Sequence, residues 1–116
     1  MKAYTISRLA RDAGVSVHIV RDYELRGLFR PCKCTTNGYR IYDKPCLQRL
    51  RFILAGKEAG LSLGELECLC KAMDDSDTEH FQRSVTRIRE LLAQKIGLQR
   101  KFGRQLSALL PHVSRA

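Results

Sequence analysis

A chain of 116 residues, 44% of them hydrophobic, is long enough for one compact domain and at most one further element. Its 21 Lys and Arg against 12 Asp and Glu leave a formal charge of +9, a balance suited to a phosphate-bearing partner. No apolar run approaches the ~18 residues of a membrane span, and the opening MKAYTISRLARDAG lacks a signal-peptide apolar segment, so a cytoplasmic, membrane-free protein is expected.

In chain order, Ile6, Leu9, Ala10 and Ala13 recur at three- and four-residue steps and predict a first short helix with one buried stripe, closed by Gly14. Ser16 then caps a second helix. Steps of about 100° from Val17 place Ile19, Val20 and Tyr23 toward the core and Val17, His18, Arg21 and Asp22 outward. Two short helices joined by a Gly turn, with basic groups on the second, have the layout of a helix-turn-helix whose outer face would meet a major groove. The charge distribution agrees: residues 1–44 carry +5, residues 45–75 carry −1 and residues 76–116 carry +5.

Arg30-Pro31 leads into a hairpin signal, with Asn37-Gly38 as a tight primed turn and Tyr39 to Ile41 as a returning strand. Such a hairpin would form a wing at about residues 31–42. Alternation puts Tyr39 and Ile41 on one face and Arg40 and Tyr42 on the other. Asp43 caps a third helix with Pro45 in its first turn, running past Leu47, Leu50, Phe52, Ile53 and Leu54 to Gly56 or beyond. Ser62-x-x-Glu65 is a capping box that opens a fourth helix, bearing Leu63, Leu66, Leu69, Cys70 and Met73.

After the polar break at Asp74 to Asp77, Phe81, Val85, Ile88, Leu92, Lys95, Gln99, Phe102, Leu106 and Leu109 follow alternating steps of four and three, and Ile96 flanks the polar pair. This is the spacing of a coiled-coil seam. A helix of about 30 residues would extend roughly 45 Å, too far for the preceding residues to cover, so a homodimer is expected through Phe81, Val85, Ile88, Leu92, Ile96, Phe102, Leu106 and Leu109. Gly97 and Gly103 weaken such a helix by about 1 kcal/mol each relative to Ala, and the sequence supplies no reason for either. The predicted fold class is therefore all-α with a small β-hairpin wing: a winged helix-turn-helix head at 1–75, a coiled-coil dimerisation helix at 76–110 and a short tail at 111–116.

Four motifs in this order, Ile6-Ser7-x-Leu9-Ala10-Arg11-x-Ala13-Gly14-Val15, Val20-Arg21-Asp22-Tyr23-Glu24-x-x-Gly27-Leu28, Gly38-Tyr39-Arg40-x-Tyr42 and Gly60-Leu61-Ser62-Leu63-x-Glu65, resemble the MerR family of bacterial transcription regulators. Within that family, the stretches from Gly14 to Tyr23 and from Arg30 to Tyr39 are most similar to the secondary regulators of mercury-resistance operons. The resemblance implies an antiparallel coiled-coil homodimer that binds a double-stranded DNA operator beside a mercury-sensing activator and lowers expression. It also implies backbone contacts from Arg21, Tyr23, Tyr39, Arg40 and Tyr42, which join Ser16, Val17 and His18 as candidate DNA-binding residues. Asp22 departs from the aromatic residue usual in activators; an acid there repels phosphate, though it could accept from a cytosine amine. The metal-sensing members have a Cys at the start of the long helix and another in the loop after it. Here those regions read Asp77-Thr78-Glu79-His80-Phe81 and Leu110 to Ala116.

Five cysteines, an odd number in a reducing compartment, argue against a disulfide framework. Cys32 and Cys34 on an extended strand would point the same way about 7 Å apart and could clasp a soft ion. Cys68 and Cys70 on a helix lie about 200° apart and cannot chelate together. A soft-metal sensor of the same fold, and a coiled-coil module that pairs with the cognate activator, stand beside the DNA-binding co-regulator as alternatives. No nucleophile elbow, phosphate-cradling loop or paired carboxylates suggest an enzyme, and no cofactor is expected.

Overall fold

The computed structural model describes residues 4–31, 33–34 and 36–110. Along the chain they form α1 (Ile6–Ala13), α2 (Val17–Leu25), β1 (Lys33–Cys34), β2 (Arg40–Ile41), α3 (Lys44–Glu58), α4 (Leu63–Asp74) and α5 (Thr78–Ala108). The helix starts follow local side-chain chemistry. Ser16 Oγ accepts the Ile19 N–H at 3.2 Å, and an Asp43 carboxylate oxygen accepts that of Cys46 at 3.1 Å. At α4 both arms of the capping box are closed, with Glu65 N–H donating to Ser62 Oγ at 3.1 Å and Ser62 N–H donating to Glu65 Oε1 at 2.8 Å. These backbone and hydroxyl donors hold the Glu65 carboxyl below its ordinary range, so the box persists until pH falls beneath that range. Ser62→Ala should lower stability by about 1 kcal/mol, checked by thermal unfolding.

One core joins α1 to α4, built on Leu9, Val20, Leu28, Leu50, Ile53 and Leu66, each fully buried. The end of α4 is tied to α3 by Arg49, whose Nη2 donates to Asp74 Oδ1 at 2.6 Å and whose Nη1 donates to Oδ2 at 3.3 Å and to the Leu28 carbonyl at 3.1 Å. That bidentate pairing holds the Asp74 carboxyl below the usual carboxylate range.

The wing is a two-stranded antiparallel pair, Lys33 opposite Ile41 and Cys34 opposite Arg40, so five residues (35–39) connect the strands. The tight two-residue turn at Asn37-Gly38 is not formed. A primed turn of that kind needs positive φ at both central residues, and here Gly38 has φ +83° while no described non-glycine residue has positive φ.

The long helix has 31 residues and starts at Asp77, whose carboxylate accepts the N–H groups of Glu79 and His80 at 3.0 and 3.2 Å. Its apolar seam divides in two, contrary to the expectation of one partner-facing stripe. Ile88 and Leu92 are half-buried against the head core, because the first half of α5 folds back along α4. Beyond it Ile96, Phe102, Leu106 and Leu109 are 48, 59, 49 and 74% exposed, and the molecule extends 68 Å along its longest axis. A Cβ at Gly97 or Gly103 would meet no atom within 4 Å, so the head does not explain either glycine. No helix among the described residues is long and apolar enough to cross a membrane.

Candidate nucleic-acid interface

α2 lies at the surface with one edge inward. Val20 is fully buried, Tyr23 is 4% exposed and Val17 packs against the same core, whereas Ile19 is 36% exposed. The sequence expectation had Val17 outside and Ile19 inside. With Val20 at the centre of the buried face, Val17 and Tyr23 fall about 60° to either side and Ile19 about 100° away, so packing against α1 selects the i, i+3 row. The outer face therefore presents His18, Ile19, Arg21, Asp22 and Leu25, with the cap Ser16 at its start. Asp22 does not stand alone. Arg26 Nε lies 3.1 Å from its carboxylate and Arg26 Nη1 lies 3.5 Å from Glu67 on α4, so part of its repulsion toward phosphate is offset. Arg21 makes no ion pair among the described residues.

On the wing, Tyr39 is 71% exposed and Arg40 is exposed, but Tyr42 is fully buried, which corrects its expected place beside Arg40 on an outward face. The cause is a non-local pairing. Tyr42 bridges to Tyr4 through backbone hydrogen bonds of 2.8 and 2.9 Å, and this carries its ring into the core, 6.1 Å from that of Phe29. Its hydroxyl donates to Glu24 Oε1 on α2. Burial, and then the Glu24 carboxylate, push that hydroxyl well above the usual phenol range, so it remains a donor. The other Glu24 oxygen stands 2.8 Å from Arg40 Nε. Tyr23 and Tyr42, both expected at the DNA backbone, are thus core residues, and Val17 is half-buried.

A cleft of about 600 Å³ brings three of the remaining groups together: Arg21 from α2 and Tyr39 and Arg40 from the wing face Thr5 and Ser7 at the start of α1. Ser16 and His18, both exposed, are not part of it. A helix N-terminus offers backbone N–H groups and a positive dipole end, and two guanidinium groups stand beside it, so the cleft is chemically suited to an anionic backbone. Thr5 and Ser7 are absent from the sequence-level set. Thr5 is readable as a helix cap, accepting the Arg8 N–H at 3.2 Å, but nothing local reveals that the wing returns beside it. Glu24 was missed for the same reason.

Of the cysteines, Cys46 and Cys70 are buried and Cys68 is exposed. Cys46 Sγ donates to the Arg30 carbonyl at 2.9 Å. Cys32 lies outside the described residues, as does the placement of the Cys34 side chain, so the suggested Cys32/Cys34 clasp falls outside them too. Among the described residues no group of three or more His, Cys, Asp or Glu side chains is assembled to hold a metal.

A surface helix and a hairpin sharing one core, followed by a long projecting helix, define a winged helix-turn-helix protein. The chain belongs to the MerR family: residues 4–73 match the model of the MerR HTH family regulatory protein. It is 50% identical over 109 residues to the HTH-type transcriptional regulator MerD of Acinetobacter calcoaceticus, covering 94% of this chain and 90% of that one. The MerD of Serratia marcescens is 48% identical with the same coverage. In fold the chain is similar to HiNmlR, a MerR family regulator lacking the sensor domain, in its crystal structure bound to promoter DNA, with a TM-score of 0.78, 99% of this chain and 93% of that chain covered, at 20% identity. The chain is accordingly a DNA-binding transcription regulator, most like MerD, and not an enzyme.

Proposed function

We propose that the chain is a cytoplasmic, homodimeric co-regulator that binds a mercury-resistance operator and lowers its expression. The observation that carries the DNA-contact assignment is the cleft in which Arg21, Tyr39 and Arg40 converge on the N-terminus of α1 beside the outer face of α2. In this reading His18 and Arg21 face the major groove, Ser16 and the start of α1 lie near phosphate, and the wing contributes Tyr39 and Arg40. Val17, Tyr23 and Tyr42 support these groups from beneath. Residues 1–75 act as the head and 76–110 as the dimerisation element. The exposed stripe at Ile96, Phe102, Leu106 and Leu109 is the surface for the second copy. The likeness to MerD along nearly the whole chain supports the operon and the sign of regulation.

The test is a salt-dependent gel shift of the purified chain on a mercury-operon promoter fragment and on random DNA, with and without the cognate activator. Tighter retention of the promoter fragment is expected, with log K falling linearly against log salt. Retention only when the activator is present would replace autonomous binding by co-binding, and equal affinity for both DNAs would overturn operator recognition. Arg40→Ala should weaken binding to both DNAs and make the salt slope shallower by about one unit, the result expected of a phosphate contact. A loss confined to the promoter fragment would instead assign Arg40 to base reading.

A further inference from the structure

We propose that Glu24 is a positioning residue for DNA recognition, fixing the wing to the recognition helix by accepting the Tyr42 hydroxyl with one carboxylate oxygen and pairing with Arg40 through the other. Both contacts cross the same joint, from α2 to the wing. Glu24 is on α2, whose outer face meets the groove in this reading, while Arg40 is in β2 of the wing and Tyr42 directly follows that strand. The carboxylate side chain is only 16% exposed, while that of Arg40 is 54% exposed, so a sheltered acid anchors a solvent-facing base. Tyr42 cannot swing away, since it is fully buried and backbone-paired to Tyr4. Its hydroxyl therefore fixes Oε1, and the fixed carboxylate holds Arg40 at 2.8 Å through Oε2.

The physical consequence concerns register more than raw affinity. Phosphates recur along any duplex, so a loosely held guanidinium still finds one on random DNA. On a specific site the wing must reach its phosphate while α2 keeps its base contacts, which requires the two elements to hold one relative position. Glu24 supplies that constraint and also removes part of the Arg40 charge that would favour indiscriminate binding. The inference rests on the reading of Arg40 as a DNA contact.

The test is a double-mutant cycle of Glu24→Gln and Arg40→Ala, with affinities measured on promoter and random DNA at one salt concentration and thermal unfolding recorded for each protein. Glutamine keeps an acceptor for Tyr42 but loses the charge that holds Arg40. Glu24→Gln should lower the promoter-to-random ratio about tenfold, with affinity for random DNA unchanged or higher. In the Arg40→Ala background the same substitution should change that ratio by less than about twofold. Additive losses in the cycle would overturn the positioning role, as would a parallel fall in both affinities that tracks lost stability. Arg40→Ala without effect on either DNA would instead overturn the reading of Arg40 itself. If Glu24→Gln does not fold, Tyr42→Phe removes one anchor and keeps the ring. It should lower the ratio about threefold, and only while Arg40 is present; a wild-type ratio overturns the proposal.

Discussion

Phe102→Asp is expected to leave the head folded and to abolish the dimer. Phe102 is 59% exposed and lies far along α5 from the half-buried Ile88 and Leu92, so changing it costs the head little. In a paired seam the same change buries an unpaired carboxylate, at a cost of about 3–5 kcal/mol. Each head alone makes about half of the DNA contacts, so operator affinity should fall by about 10²–10⁴ while weak, strongly salt-sensitive binding persists. Sedimentation equilibrium measures this directly: a variant still dimeric at micromolar concentration would show that the distal stripe is not the interface. Ile88→Asp is a poorer probe, because Ile88 also packs against the head core and its loss mixes unfolding with dissociation.

Arg21→Ala should weaken promoter binding by about 1–3 kcal/mol with little change in thermal stability. Arg21 is exposed, makes no ion pair among the described residues and lines the cleft shared with Tyr39 and Arg40, so its removal leaves no orphaned internal partner. Unchanged promoter affinity in a folded variant would remove α2 from the groove. The contrast with Arg40 is informative, since Arg40 has an internal partner in Glu24 and its removal should be felt by the wing joint as well as by DNA.

Features governed by neighbours three or four residues apart were legible in the sequence. Ser16, Asp43 and the Ser62/Glu65 box mark helix starts because their side chains bond to N–H groups in the same turn. What escaped was set by distant packing. Val17 and Ile19 are both apolar and about 200° apart, so only the contact with α1 decides which turns inward. Tyr42 reads as a wing-surface residue until its bridge to Tyr4 carries it into the core. Glu24 has an ordinary place in a short helix, and the hydroxyl it accepts from lies 18 residues away. The spacing of Ile88 and Leu92 is the same whether they meet α4 or another chain. Periodicity gives a side chain's direction on its own helix, and the neighbour it meets is a property of the whole fold.

In the proposed homodimer, the division of the long helix would make regulation a matter of dosage. The head completes its core within a single chain, whereas the stripe from Ile96 to Leu109 is left exposed by that chain and, in the proposed homodimer, is covered by the second copy. Below the dissociation constant of the pair, the population of assembled protein rises with the square of chain concentration, and operator occupancy rises with it. A co-regulator assembled in this way would be nearly silent at low copy number and engage over a narrow range of expression, so that the timing of its own synthesis would become part of the control it exerts.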